Sequence, residues 1–577
     1  MSSNLLERFV PAVGWMRRYQ MSDLPGDITA GLTVAVMLIP QGMAYAMLAG
    51  LPPIVGLYAS IVPLAIYALL GTSRQLAVGP VAMVSLMVAS SVGAMAQPGS
   101  DQYVALAVVL ALMVGVMQAG MGLLKLGFLV RFLSHPVISG FTSAAALIIG
   151  LSQLKHLLGV KLPRTHHIHE IIIEAFAHIQ DWNWIALGMG AVSIALLLGL
   201  KKFSPRAPGA LIVVAGATLV TWLFGLEQGG LSVVGEVPAG LPMPSLPSFS
   251  LTQLGELAPT AIAISLVAFM ESISVAKAFA AREGYKVDAD QELRALGLSN
   301  VAAAFFGGYT VTGGFSRTAV NGQAGAKTGL ASLITAGAIA VALLTITPLF
   351  AWLPNTVLSA IVMAAVFGLI DIKEVVHLWK VRKGDLLQLV LTFAATLAFG
   401  IEIGIGVGVG FSLLQIIWRS ASPVIAKLGR LPGTTFWRDT QRIDGLQTYD
   451  DVVVLRLDAR LYFANIARLE QEIDKTQADA NRHVVLDCGG MNDIDTSALA
   501  LLEELAVSQH SRGVTLSLAR VKAAVRDQLK AAHFKLPIEV YDSVEVAVRT
   551  AREESCADLP VNTDDSDDGQ VSNGQAA

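Results

Sequence analysis

Apolar runs recur along residues 30–420, at 105–124, 186–200 and 261–269 among others. This feature restricts the fold more than any other. Backbone placed in hydrocarbon must satisfy its own hydrogen bonds, so a chain with such runs spans the bilayer as helices. Only 15% of the 577 residues are charged, with mean hydropathy +0.60, against roughly a quarter charged in ordinary soluble domains. The deficit is uneven, because residues 430–577 read like a soluble protein. The expectation is a polytopic α-helical membrane protein carrying a separate aqueous domain.

The net charge of −4 gives no nucleic-acid signal. Cys488 and Cys556 form neither a metal-ligand spacing nor a disulfide framework. The first 29 residues carry Arg8, Arg17 and Arg18 without an uninterrupted apolar core, so no cleavable signal peptide is expected and the first span serves as the targeting signal. Cations cluster at alternate loops: Arg74; Lys125 and Arg131; Lys201, Lys202 and Arg206; Arg282, Lys286 and Arg294; Lys327; and Lys373 to Lys383. Residues 223–257 contain no Lys or Arg. This alternation places both termini on the cytoplasmic side of a bacterial inner membrane. Lys155, Lys161 and Arg164 depart from it, beside an amphipathic segment at 166–179. At ~20 residues per crossing, fewer where a helix is broken, the region holds about fourteen spans. The expected division is a cytoplasmic segment 1–29, a transport domain 30–420, a linker 421–434, an α/β domain 435–552 and a disordered acidic tail 553–577.

Two segments break the apolar pattern in a similar way. QLAVGPVAMVSLM (75–87) and TVTGGFSRTAVNG (310–322) each start with a β-compatible run, then glycine, then a helix-compatible stretch. Residues 132–151 and 351–370 also resemble each other, with Ser139 opposite Ser359. Seven spans per half is an odd number, so the two halves have opposite topology. Non-helical backbone at membrane depth is tolerated where it is buried in protein or lines a cavity. The pattern therefore predicts two half-helices, starting near Pro80 and Phe315, whose free N–H groups and partial positive charge face a shared cavity. Pro80 suits a first helical turn. Arg317 would lie in the first turn of the second half-helix, where an intramembrane cation calls for an anion. Pairing with Glu271, which would only hold helices together, is the competing reading.

At this point IPQGMAYAMLAGLPPIVGLYAS (39–60), TSRQLAVGPVAMVSLM (72–87) and GGFSRTAVN (313–321) resemble the signature of the sulfate permease family, bacterial relatives of the solute carrier 26 anion transporters. The resemblance covers about residues 20–550. It implies a seven-plus-seven inverted repeat split into core and gate domains, an elevator-like movement, and a homodimer. Carried over, the anion site would use Gln41 and Tyr45, Val81 and Ala82, and Gly314, Phe315, Ser316 and Arg317. Family members often carry serines where this chain has Gly313 and Gly314, which bears on anion preference. Independently of the family, Gln41 offers amide donors and Tyr45 lies one turn on along the same face. Their alternative role is an interhelical hydrogen bonder and a core aromatic.

Glu271 sits in the apolar AISLVAFMESISVAKAFA (263–280) and is the candidate ion-coupling residue. Sodium-coupled relatives place hydroxyl and carbonyl partners near such an acid. Val275, one turn on, has no side-chain oxygen, which favours a proton over sodium as the coupling ion. A static Glu271–Arg317 pair is the alternative. His166, His167 and His169 read as a solvated loop rather than a metal site, and no cofactor is expected. The glycines of FGIEIGIGVGVGF (399–411) read as close helix packing.

Residues 435–555 alternate strands and helices, as in a small α/β domain. LDCGGMNDIDTSALALLEEL (486–505) resembles the STAS domain of anti-sigma-factor antagonists. A phosphorylated serine of those proteins matches Thr496, beside Ser497. Helix capping by these hydroxyls is the favoured reading, with regulation as the other. The domain's cytoplasmic partner is unspecified.

The favoured function is secondary active uptake of an anion, most readily sulfate, with C4-dicarboxylate or bicarbonate as alternative cargo. An anion channel, a signalling protein that no longer transports, and a nucleobase permease of similar fold are rivals. No nucleotide-binding Walker pattern supports ATP-driven transport, and no enzyme activity is expected.

Overall fold

A computed structural model describes residues 7, 9–128, 134–160, 168–204, 208–236, 238–367, 370–477, 483–532 and 538–555. Cys556, most of the acidic tail, and Arg131, Lys161, Arg164, His166, His167 and Arg206 lie outside them. The chain divides into two compact units, Met1–Ser412 and Leu413–Ala577, each considered alone below.

In the membrane unit a short helix (Pro11–Arg17) precedes the first long apolar helix, α1 (Leu24–Leu48), which starts ahead of the expected boundary at residue 30. Pro25 in the first turn is the reason, because its missing N–H costs nothing there. There follow α2 (Pro53–Tyr58), α3 (Val62–Leu70), strand β1 (Val78–Gly79), α4 (Ala82–Gly93), α5 (Asp101–Leu123), α6 (His135–Ser152), α7 (Trp184–Phe203) and α8 (Gly209–Phe224). The second half runs α9 (Leu251–Glu283), α10 (Ala289–Phe305), β2 (Thr312–Gly313), α11 (Phe315–Gln323), α12 (Leu330–Thr345), α13 (Asn355–Val366), α14 (Lys383–Phe399) and α15 (Ile401–Ala421). Six of the described helical segments are long and apolar enough to cross a bilayer alone. Taking α2 with α3, and each short strand with its half-helix, gives fourteen segments. β1 lies in the third and β2 in the tenth, the corresponding places of two seven-segment halves.

Helices α1, α3, α5, α9, α10 and α12 pack among themselves, through α5–α10, α1–α12, α3–α10 and α5–α9. A second group joins α6 to α14, α7 to α13 and α7 to α8. These are the core and gate of the fold. Within the gate, a Cβ at Gly404 would collide with the Thr396 hydroxyl, so α14 and α15 touch closely there.

The aqueous unit is a six-stranded sheet in the order β4-β3-β5-β6-β7-β8. Its strands are β3 (Ile425–Arg430), β4 (Trp437–Asp439), β5 (Val452–Leu457), β6 (His483–Asp487), β7 (Thr515–Ala519) and β8 (Glu539–Tyr541). β3 pairs antiparallel with β4 and β5, and β5 to β8 are parallel. α16 (Ile466–Gln477), α17 (Thr496–Ser511) and α18 (Ala523–Ala531) cover one face, and α19 (Val544–Ser555) covers the other. Two expectations are corrected. Residues 421–434 are not a plain linker, because β3 pairs with both neighbours and buries Ala426 and Leu428. Helix α19 extends to Ser555, past the expected tail start at 553, since Ala547, Val548 and Ala551 pack on the sheet.

Cap geometry at α17 also differs from expectation. Asp495 is the N-cap, and its Oδ1 accepts the Ala498 N–H at 2.7 Å. Thr496 and Ser497 are the first helical residues and both are exposed. The register is one residue earlier than the sequence reading, because Asp495 has the extended backbone that a cap requires (φ −87°, ψ 167°). Asp495→Ala should therefore lower the thermal stability of this domain by ~1 kcal/mol. Thr496→Ala should leave it within ~0.5 kcal/mol. Differential scanning fluorimetry of the two variants checks the assignment. Burial beside Asp487 pushes the Cys488 thiol up to about 12, so it stays protonated and inert at neutral pH.

Candidate anion-binding site

β1 and β2 pair antiparallel, with Val78 opposite Gly313 and Gly79 opposite Thr312. Because the pair is antiparallel, this short ladder fixes the starts of α4 and α11 at its two opposite ends. Val81 and Gly314 are the two N-cap residues, both extended, and neither helix has a side-chain cap. Side-chain caps do head α5, α7, α9 and α10, through Ser100, Asn183, Ser250 and Asp288, while α1, α6, α8 and α12 also start without one. The first intrahelical bonds are Ser85 N–H to Val81 and Thr318 N–H to Gly314. The amides of Ala82, Met83 and Val84, and of Phe315, Ser316 and Arg317, are thus left for an outside acceptor. Pro80 stands one residue before the N-cap rather than in the first turn, because Val81 is still extended (φ −133°, ψ 150°).

That position gives the Pro80 carbonyl a use: it accepts a hydrogen bond from Arg317 Nη1. Arg317 is 1% exposed. Its Nε and Nη2 have no hydrogen-bond partner among the described residues. A Cβ at Gly314 would stand 2.9 Å from Nη2 and 3.2 Å from Nε, so glycine lets the guanidinium fold back against the helix start. Tyr45, Glu271 and Tyr309 are within electrostatic reach of it. No ion pair joins Glu271 to Arg317 among the described residues, and Glu271 Oε2 is enclosed and unpartnered.

Gln41 and Tyr45 are buried on α1, and Gln41 Oε1 lacks a partner among the described residues. Pro40 precedes them inside α1 and has no N–H for the Val36 carbonyl. Val81 and Ala82 are buried, whereas Phe315 (61% exposed) and Ser316 point away from packed protein. The structure therefore brings Tyr45, Glu271 and Arg317 within electrostatic reach of one another, and Arg317 spans from α11 to the Pro80 carbonyl next to Val81 and Ala82, whereas Gly314 lies beside Ala77. Two cavities lie apart from these residues. One, of about 580 Å³, is lined by Ser90, Gln102, Glu256 and Thr260, and one of about 370 Å³ by Trp15, Arg74 and Lys327.

Several supporting residues have no counterpart in the sequence reading. Asn300, fully buried, accepts the Val311 N–H at 2.7 Å and donates to the Val311 carbonyl at 3.0 Å and to Gln118 at 3.1 Å. Ser272 bonds the Thr312 hydroxyl at 2.7 Å and accepts the Gly313 N–H at 2.8 Å. The Tyr309 and Ser85 hydroxyls meet at 2.8 Å. Polar residues inside apolar spans are a usable signal, but their targets lie on other elements. Chemically, one guanidinium, two uncapped helix starts and an amide-bearing side chain suit a compact oxyanion.

A model of the sulfate permease family matches residues 24–392, and a STAS domain model matches 445–547. The chain is 41% identical over 535 residues to the chloroplastic sulfate transporter 4.1 of Arabidopsis thaliana, covering 89% of this chain and 78% of that one. It is 37% identical over 529 residues to a probable sulfate transporter of Mycobacterium tuberculosis, covering 91% and 94%. The solved structure of the murine solute carrier 26 family member A9 anion transporter, in an inward-facing state, superposes with a TM-score of 0.88. It has 25% identity and covers 95% of each chain.

Proposed function

Since the chain belongs to the sulfate permease family and is an anion transporter of the membrane rather than an enzyme, we propose that it carries sulfate by secondary active uptake. The observation that carries this reading is the buried Arg317, with two nitrogens that have no partner among the described residues, in the first turn of one half-helix and bonded to the Pro80 carbonyl just ahead of the other. Gln41 and Tyr45 close the site from α1, and Val81, Ala82, Gly314, Phe315, Ser316 and Arg317 supply the two helix starts. A divalent tetrahedral anion gains most from such a cluster, because each added negative charge deepens its interaction with fixed dipoles and a cation. The names of the Arabidopsis and mycobacterial relatives support sulfate as cargo.

The core carries the site past the gate in an elevator-like movement, and a proton accompanies the anion through Glu271. The chain works as a homodimer in a bacterial inner membrane, with both termini and the STAS domain on the cytoplasmic side. The alternation of cation-rich loops supports that orientation. Thr496 and Ser497, exposed at the start of α17, are where phosphorylation would add charge beside a helix N-terminus. Succinate and bicarbonate are the competing cargoes. Uptake of each labelled anion into proteoliposomes, with proton and sodium gradients imposed separately, tests the whole reading. Sulfate should accumulate under an inward proton gradient. Accumulation of succinate or bicarbonate in its place would reassign the cargo.

A further inference from the structure

We infer that Gln75, together with the buried carboxylates of Asp27 and Glu292, forms a clasp that fixes the separation of the two half-helix starts and thereby sets how tightly the anion is held; this rests on the site proposed above. Glu292 on α10 is fully buried. Its Oε1 accepts the Thr72 N–H and hydroxyl, both at 2.6 Å, and the Ser73 N–H at 3.1 Å, while Oε2 accepts the Tyr67 hydroxyl at 2.7 Å. Asp27 on α1 is also fully buried. It accepts the N–H groups of Lys327 at 2.7 Å and Thr328 at 3.1 Å, and the Thr328 hydroxyl at 2.6 Å. Each carboxylate sits in one half of the chain and grips a loop of the other half. The loop at 72–73 leads into β1, and the loop at 327–328 follows α11.

Gln75 joins the two grips. It is 2% exposed. Its Nε2 donates to the Ala326 carbonyl at 3.1 Å, its Oε1 accepts the Tyr285 hydroxyl at 2.6 Å, and its own carbonyl accepts Asn321 Nδ2 at 2.9 Å. Beyond it, the Ala77 N–H donates to Thr318 Oγ1 at 3.1 Å and the Gly314 N–H to the Ala77 carbonyl at 3.2 Å. The segment that leads into α4 is thus fastened to the α11 half at both ends, by the β1–β2 ladder at Val78–Gly79 and by this network at Gln75. A unit fastened at both ends moves without changing the gap between its helix starts, as an anion carried through a membrane requires. Gln75, Asp27 and Glu292 are positioning residues, since they act on the site through the backbone and other side chains.

The test uses the full-length chain. Hydrogen exchange at the amides of residues 76–82 and 312–318 is measured for wild type, Gln75→Met and Tyr67→Phe, alongside KM and Vmax for sulfate in proteoliposomes. Met keeps the volume of Gln75 and removes its side-chain hydrogen bonds. Gln75→Met should speed exchange in both segments roughly tenfold or more and raise KM roughly tenfold, with Vmax within about twofold of wild type. Tyr67→Phe, which deletes one hydroxyl from Glu292, should shift both readouts the same way by less, and it carries the test if the first variant does not fold. Unchanged exchange in both segments overturns the clasp. Faster exchange with an unchanged KM leaves the fastening in place but overturns the anion site at these helix starts.

Discussion

Arg317→Ala should fold, insert and show no measurable sulfate uptake. Arg317 is a 1% exposed cation with one hydrogen bond to Pro80 and two nitrogens that none of the described residues serves. Such a group is a burden on the fold, because desolvation of the charge is not repaid by a partner. Removing it should therefore hold or raise the melting temperature in sulfate-free buffer. The anion, by contrast, loses charge-assisted hydrogen bonds of ~1.5–3 kcal/mol, equivalent to roughly 10–150-fold in affinity. Saturating sulfate at a hundredfold excess over Kd stabilises wild type by ~2.7 kcal/mol and should shift the variant far less. Arg317→Lys is expected to recover little, since a single ammonium cannot anchor on the Pro80 carbonyl and still present the two in-plane donors of a guanidinium. Thermal shift with and without sulfate, beside uptake, separates loss of binding from loss of folding. Wild-type rates in Arg317→Ala would remove the site from these residues.

The residues that were legible in the sequence and those that were not differ in one physical respect. Apolar spans, the glycine breaks at 79 and 314, and the alternating strands and helices of the STAS domain are local patterns, set by neighbours a few positions away. The pairing of Val78 with Gly313 is not local, although similar segments hinted that the two regions were related. Asp27 and Glu292 carry no neighbouring signal at all. Their partners lie 219 to 301 residues away, so only the fold discloses that each carboxylate is satisfied. Small register errors have a related origin. Pro80 precedes the N-cap Val81 instead of opening the helix, and the cap of α17 falls on Asp495 instead of Thr496, because the step from extended to helical backbone is decided by tertiary contacts. β3 was hidden in an apparent linker for the same reason: its partners β4 and β5 supply the order that its own short sequence does not.

Glu271→Gln should take up sulfate at a rate that no longer depends on pH and should fail to concentrate it against a gradient. Glu271 stands within reach of the Arg317 field without forming an ion pair among the described residues, and its enclosed Oε2 is unpartnered. An ionised Glu271 offsets the positive charge that the anion needs, and a protonated one does not. Protonation therefore strengthens anion binding, and by reciprocity a bound anion favours the protonated carboxyl by the same factor, typically worth ~1–3 kcal/mol. The sign follows: for wild type, KM for sulfate should fall as pH falls, then level off once Glu271 is protonated. Glutamine imitates the protonated form, so the variant should keep the low-pH KM throughout. With no proton to carry, it should also let sulfate only equilibrate under an inward proton gradient. Sodium offers a different outcome, since a cation at Glu271 would need further oxygens and Val275 supplies none on that face. A variant that retains the wild-type pH profile would clear Glu271 of the coupling role, and uptake driven by sodium alone would exclude the proton.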